Sequence, residues 1–295
     1  MADVEGGRTR SRQPSLAAKV RRLCAREGLL AESGRVLVML SGGQDSVTLL
    51  ELLAGRELGG MRPSYLHVLH VNHHLRGEES NADEALVRAH CERLGLDLTV
   101  AHLQVEKTGG NVQERAREAR RAEAVVTAAG TACDRIALGH TADDQVETLL
   151  YRIGRYGGLA ALRSMPAVDL PWIRPLLDVR REETSMFCRA RGLAYAIDRG
   201  NAYPGYARTG IREQVLPAWE AALPGAVQGA MRTAEVAAEA ERVLQEVLAA
   251  TGIDCAAADL DVPAVTALPP ALRRLVLRAW LEGREGFVVT RAAVL

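Results

Sequence analysis

The chain has 295 residues, 48% of them hydrophobic, with 37 basic residues balanced by 37 acidic ones and a mean hydropathy of −0.04. That length suggests one large domain or two smaller ones, and a formal net charge of +0 excludes a protein that holds nucleic acid by bulk charge, so nucleic-acid contact must come from local patches. No apolar run approaches the ~20 residues of a membrane span, and the polar start up to Pro14 is not a secretory signal, so a soluble, cytoplasmic protein is expected.

Residues 1–14 read as a disordered tail. Apolar residues recur at helical spacing from Leu16 to Leu30. Val36 to Leu40 is a continuous apolar run that fits a strand buried on both faces. Ser41-Gly42-Gly43 breaks it, and Ser46 to Leu53 resumes with a helical period. Further strands are predicted at Tyr65–Val71, Leu98–Leu103 and Arg135–Leu138, alternating with helices at Asn81–Leu94, Asn111–Ala129 and Ala142–Ile153. Trp172 to Leu177 reads as a last strand and Arg181 to Arg191 as a helix. This alternation predicts an α/β fold, a mostly parallel twisted sheet with helices on both faces. From Pro217 the chain is alanine-rich and helical, notably Ala226–Ala250 and Pro270–Leu281. A catalytic domain over 15–216 and a smaller helical domain over 217–295 are therefore expected. Thr290 to Leu295 looks like a capped helix start that stops, which suggests a fragment of a longer chain.

All but two of the basic residues are arginine, the lysines being Lys19 and Lys107. With so strong a bias, arginine number alone says little about function. The five cysteines lie far apart with no C-x-x-C, which argues against a zinc ribbon, an iron–sulfur cluster or a thioredoxin-type pair. Adjacent His73 and His74 on an extended segment point opposite ways and make a poor shared metal site.

Ser41-Gly42-Gly43-Gln44-Asp45-Ser46 joins a strand to a helix. Its glycines allow backbone N–H groups to converge on one anion, the helix adds its positive dipole end, and the serines add donors. Asp45 would repel phosphate unless Mg²⁺ lay between them. The segment is read as a pyrophosphate cradle with a metal-holding aspartate, in preference to a plain Gly-Gly turn. Neither a Walker loop nor G-x-G-x-x-G is present.

SGGQDS resembles the signature of the PP-loop ATP pyrophosphatases, which cleave ATP to AMP and pyrophosphate. Three further stretches narrow the likeness: His70-Val71-Asn72-His73-His74-Leu75-Arg76; Gly139-His140-Thr141-Ala142-Asp143-Asp144-Gln145-Val146-Glu147-Thr148; and Asp198 to Pro217, with Asn201, Tyr206, Arg208 and Arg212. In this order and spacing, over roughly Val36 to Pro217, they resemble the tRNA(Ile)-lysidine synthetases. The resemblance implies ligation of free L-lysine to the C2 carbon of the wobble cytidine of a CAU-anticodon tRNA(Ile), through an adenylated cytidine, with ATP and Mg²⁺ consumed or required. It implies ATP binding by Ser41, Gly42, Gly43, Gln44, Asp45 and Ser46, Mg²⁺ at Asp45, and catalysis by Asp45, His140, Asp144 and Glu147. It places Asn72, His73, Arg76, Arg117, Arg120, Arg208 and Arg212 at tRNA or ATP phosphates, and the helices of 217–295, with Arg273, Arg274 and Arg278, at the tRNA. A homodimer is compatible with the pattern.

The bland alternatives are a solvated first helical turn for Asp143-Asp144-x-x-Glu147, and an exposed helix laced by Glu–Arg pairs for Glu114 to Arg121. Tyr156 stands where the family has glycine, Gly200 where it has serine and Thr209 where it has asparagine. A sulfur-adding PP-loop tRNA enzyme is the runner-up, disfavoured by the isolated cysteines. GMP and NAD synthetases share SGGxDS but lack the histidine-bearing motifs. A binding protein without catalysis is disfavoured because it would not need Asp45 with Asp144 and Glu147.

Overall fold

A computed structural model of the chain describes residues 14–31, 34–73, 77–103, 112–155, 159–163, 165–196 and 207–284. The expected tail, His74, Arg76, Tyr156, Gly200, Asn201, Tyr206 and the segment 290–295 lie outside the described residues. The chain divides into two compact units, residues 1–145 with 165–210 and residues 146–164 with 211–295.

The first unit is built on a six-stranded sheet of order β3-β2-β1-β4-β6-β5. The strands are β1 (Arg35–Met39), β2 (Tyr65–Asn72), β3 (Asp97–His102), β4 (Arg135–Ala137), β5 (Val168–Asp169) and β6 (Trp172–Ile173). All neighbours pair in parallel except β5 with β6. The helices are α1 (Leu16–Glu27), α2 (Gln44–Ala54), α3 (Glu78–Leu94), α4 (Val112–Gly130), the start of α5 (Ala142–Arg155), α6 (Arg181–Ala190) and the short α7 (Ala207–Gly210).

Alternation along β1 explains its unbroken apolar sequence. Val36 and Val38 pack into a core with α1, α2, α3 and α6, whereas Leu37 faces a second core with Ala124 and Ala128 of α4. A strand covered on both sides has no polar face. Sequence steps β1 to β2 to β3 run outward one way, and β4 returns to the other side of β1. The order therefore reverses between β1 and β4, and ligands of such sheets gather outside the carboxyl ends of the strands at that reversal.

The last expected strand is corrected by the structure. Only Trp172 and Ile173 pair, because Pro175 has no N–H to continue a ladder and the chain turns instead. The β5–β6 hairpin before it was not foreseen. Helix α3 starts at Glu78 rather than Asn81, since Gly77, at φ 57°, turns the chain into it and two glutamates favour the first turn.

The second unit is helical. Beyond the body of α5 it holds a π-helical turn at Ile211–Val215, then α8 (Leu216–Ala222), α9 (Ala226–Ala250), α10 (Val262–Ala267) and α11 (Pro270–Glu282). Val146 and Leu149 of α5 pack with Leu216, Val227 and Ala230. A smaller core joins Leu248, Val265 and Val276. No helix among the described residues is long and apolar enough to cross a membrane.

Candidate active site

The loop Ser41-Gly42-Gly43 leaves the end of β1 and enters α2 at the topological reversal. Gly42 adopts φ 89°, a conformation open to glycine. Ala196 clamps the loop from outside by donating its N–H to the Gly42 carbonyl at 2.8 Å. Inside it, the hydroxyls of Ser41 and Ser46 lie 3.1 Å apart, and Ser46 donates to the Gly43 carbonyl at 2.9 Å. Gln44 does not face the loop's concave side. Its amide donates to the Arg181 carbonyl at 2.7 Å and to Thr184 at 3.1 Å, fixing α2 against α6.

The β4 loop closes on this cradle through Gly139. A Cβ there would stand 3.0 Å from the Ser46 nitrogen and 3.1 Å from its Cα, both backbone atoms that cannot rotate away. Gly139→Ala is therefore expected to displace the phosphate loop, weaken ATP binding by at least an order of magnitude and cost about 1–3 kcal/mol of stability. Nucleotide titration and thermal unfolding measure the two effects.

Asp45 is largely buried. It accepts a short hydrogen bond from Thr184 and lies 3.6 Å from the Arg181 guanidinium. Burial nevertheless pushes its carboxyl up to about 6, against the pull of Arg181 and Thr184, and the nearby Asp144 carboxylate adds to the rise. Asp144 sits at the third position of α5, where its Oδ2 accepts from the Thr141 N–H at 2.7 Å and from the Thr141 hydroxyl at 2.9 Å. The side chain thus reaches back to the residue before the helix, which fixes the carboxylate's direction. A buried carboxylate whose charge a second carboxylate disfavours suits a hard divalent cation whose other ligands are phosphate oxygens and water. No group of three or more His, Cys, Asp or Glu side chains able to hold a metal occurs among the described residues. Asp143 serves the scaffold, accepting from the Arg181 N–H at 2.7 Å and pairing with Arg180 at 3.2 Å.

His140 follows β4. Its Nδ1 is buried without a hydrogen-bond partner, and burial together with the cations of Arg174, Arg117 and Arg121 holds its pKa down to about 4, against the opposite pull of Asp144. The ring is neutral at neutral pH. His73, at the end of β2, also has both ring nitrogens buried and unpartnered, and burial with nearby Arg120 and His70 lowers it to about 4. Arg117 and Arg120 are both lowered by burial; Arg208 and Arg121 add repulsion on Arg117 against the pull of Glu114, and Arg117 adds repulsion on Arg120. Asn72 is spent within the protein, its amide donating to Glu84 at 3.0 Å and to the Ser80 carbonyl at 3.4 Å.

In the second unit Glu147 and Arg212 face one another. Arg212 donates Nε to Oε1 at 2.6 Å and its Nη2 to Oε2 at 2.8 Å, a two-bond fork on a carboxylate that is almost wholly buried. Two residues expected to touch different substrates are thus partners. Arg273 caps the α10–α11 connection through the Thr266 and Leu268 carbonyls.

This arrangement matches known proteins. Residues 13–219 fit the family model of the PP-loop domain, an ATP-binding unit. The chain is 38% identical over 254 residues to the tRNA(Ile)-lysidine synthase of Rhodococcus jostii, covering 85% of this chain and 75% of that protein. The chain belongs to the tRNA(Ile)-lysidine synthase family. It is also 35% identical to the synthase of Symbiobacterium thermophilum, over 92% of this chain but only 60% of that relative's length. Among solved structures, the U34-tRNA thiolase NcsA of Methanococcus maripaludis, with its [4Fe-4S] cluster, shares the fold at a TM-score of 0.62 and 21% identity, covering 75% of this chain and 77% of the thiolase.

Sequence reasoning missed two of the cations that act on His140. Arg174 hides in an apolar stretch that reads as strand, and Arg121 reads as the exposed side of a helix. The signal for Arg174 was a charge inside a run of core residues.

Proposed function

We propose that the chain joins free L-lysine to the C2 carbon of the wobble cytidine in a CAU-anticodon tRNA(Ile), converting ATP to AMP and pyrophosphate. The observation that carries this reading is Asp45 and Asp144 at the sheet reversal beside the SGG loop, in a chain 38% identical to a lysidine synthase.

Two displacements balance the chemistry. The cytosine O2 attacks the α-phosphorus of ATP, forming the O–P bond as the bond to pyrophosphate breaks. The lysine side-chain amine then attacks C2, loses a proton, and AMP leaves with the former O2. In the first step the backbone N–H groups and hydroxyls of Ser41, Gly42, Gly43 and Ser46 receive the departing pyrophosphate, the preorganised-donor form of catalysis. Asp45, with Asp144, would hold Mg²⁺, which when bound offsets charge on the phosphates. Asp144 presents a carboxylate of fixed direction for the amine. His140 stays neutral and so is able to exchange a proton with the reacting groups. Glu147 is assigned a catalytic role from the family resemblance, with Arg212 holding its carboxylate in one orientation. Arg117, Arg120 and Arg208 are assigned to phosphate, and the helices of 217–295 to the body of the tRNA.

The test supplies ATP, Mg²⁺, free lysine and a CAU-anticodon tRNA(Ile) transcript, follows pyrophosphate release, and analyses the nucleosides. Lysidine in the digest, dependent on lysine and ATP, is expected. Pyrophosphate released without lysidine would sink the amine donor and keep the ATP chemistry.

A further inference from the structure

Arginines inside a fold normally meet carboxylates, or carry their heads to water. Arg174 in the first unit does neither, and two half-buried arginines of α4, Arg121 and Arg117, join it in acting on His140 without meeting a carboxylate in an ion pair. Arg174 is 4% exposed; its guanidinium donates to the Pro166 carbonyl at 2.7 Å, while its Nε is buried with no acceptor. Arg121 lies with its guanidinium carbon 4.2 Å above the Trp172 ring centroid. Arg117 is one helical turn before Arg121 on α4 and so shares its face. None of the three forms an ion pair among the described residues.

Their convergence follows from the topology. Strands β4 and β6 are parallel neighbours, with Ala137 opposite Ile173 and the Leu138 N–H donating to the Ile173 carbonyl at 2.9 Å. The chain leaves β4 toward His140 and leaves β6 at Arg174. Trp172 and Arg174 are two residues apart, so both point to the sheet face that α4 covers, where Trp172 packs with Ala124 and Ala128. Stacking on Trp172 occupies the flat face of the Arg121 guanidinium and leaves its edge N–H donors open. The phosphate loop runs instead into α2, which packs on the other face. The basic cluster therefore lies on the α4 side of the sheet, whereas the SGG loop feeds the helix on the other side.

We propose that Arg121 and Arg174, together with Arg117, form a site for a phosphate oxyanion at the carboxyl ends of β4 and β6. The orphaned Arg174 Nε is the donor that identifies it, because a buried charged donor without an acceptor is costly unless a ligand supplies one. The depressed pKa of His140 is consistent with this, since Arg174, Arg117 and Arg121 all act on its ring. The oxyanion belongs either to the nucleotide or to an RNA phosphodiester, so the inference deepens the functional reading above.

Binding separates the two sources without requiring ligation. R121Q and R174K are titrated with Mg-ATP, and separately with an RNA hairpin carrying a CAU loop at several salt concentrations. Thermal unfolding checks each variant's fold. At least a tenfold loss of affinity in one arm is expected. Loss in the ATP arm assigns the oxyanion to the nucleotide. Loss in the RNA arm, with the log–log salt slope reduced by roughly 0.7–0.9, assigns it to a phosphodiester. Folded variants that keep both affinities within twofold overturn the site, as does an equal loss in R62Q, a control at the opposite end of β2. If R174K unfolds early, R121Q decides alone, since its half-buried side chain stacks on the Trp172 ring and forms no ion pair among the described residues. A chain that passes these tests yet makes no lysidine would refute the activity and leave the site standing.

Discussion

Asp45→Asn is expected to abolish pyrophosphate release while making the protein more stable. The carboxyl is raised from 3.8 to about 6 because burial outweighs the help of Arg181 and Thr184. A folded-state pKa above the unfolded value means that the native state binds the proton more tightly. The resulting stability is full below the unfolded value near 3.8 and lost as the pH rises through about 6. At pH 7.5 the ionised Asp45 therefore costs the ligand-free fold about 3 kcal/mol, at 1.36 kcal/mol per pH unit. Asparagine keeps the shape and sheds the charge, so Tm should rise by roughly 5 °C at that pH, and the gain should shrink as the pH falls from about 6 towards 4.

The same substitution removes the charge that would hold Mg²⁺ against ATP, and turnover is expected to fall by about 10²–10³-fold. Mg-ATP should stabilise the wild-type chain much more than the variant. Without bound cation the functional carboxylate forms only as the pH climbs through about 6, so the onset of Mg²⁺-dependent ATP binding should follow that titration. A variant that is stabilised and inactive marks Asp45 as a group retained for function at a cost to the fold. A variant that still releases pyrophosphate at the wild-type rate would remove Asp45 from the chemistry.

The alternation of strand and helix was legible because each strand is covered on both sides and reads as a short apolar block between helical periods. Gly42 and Gly43 marked the loop after β1, and the structure shows the left-handed turn that Gly42 permits, while Gly139 admits the close approach of the Asp45–Ser46 backbone. Less of the site could be read. Burial depth at Asp45 depends on α6, which arrives 139 residues later through Thr184. Asn72 looked like a substrate contact, yet its amide closes on Glu84 within the fold. The end of β6 was misread because hydrophobicity continues past Pro175 while hydrogen bonding does not. Glu147 and Arg212 each carried a motif, but no local pattern joins residues 65 positions apart.

That pair yields the largest stability effect expected of a single side chain. Removing Arg212 leaves the Glu147 carboxylate, in a residue 3% exposed, with its principal counter-charge gone. Truncation of one partner of a buried pair costs about 3–5 kcal/mol, because the remaining charge stays desolvated. Arg212→Ala should therefore unfold at markedly lower urea, with Trp219, which packs against the same core, reporting the change. Arg212→Lys keeps the charge but not the planar fork, and should fall between. The double variant E147Q/R212M removes both charges of the fork and should recover most of the loss, so the two single effects will not add. Equal destabilisation of the double variant and Arg212→Ala would instead mean that the fork contributes by packing alone. Lysidine formation separates the remaining roles: if Glu147 needs Arg212 only for its orientation, Arg212→Lys should lower turnover at saturating tRNA without changing the salt dependence of tRNA binding. A shallower salt slope would return Arg212 to the phosphate contacts.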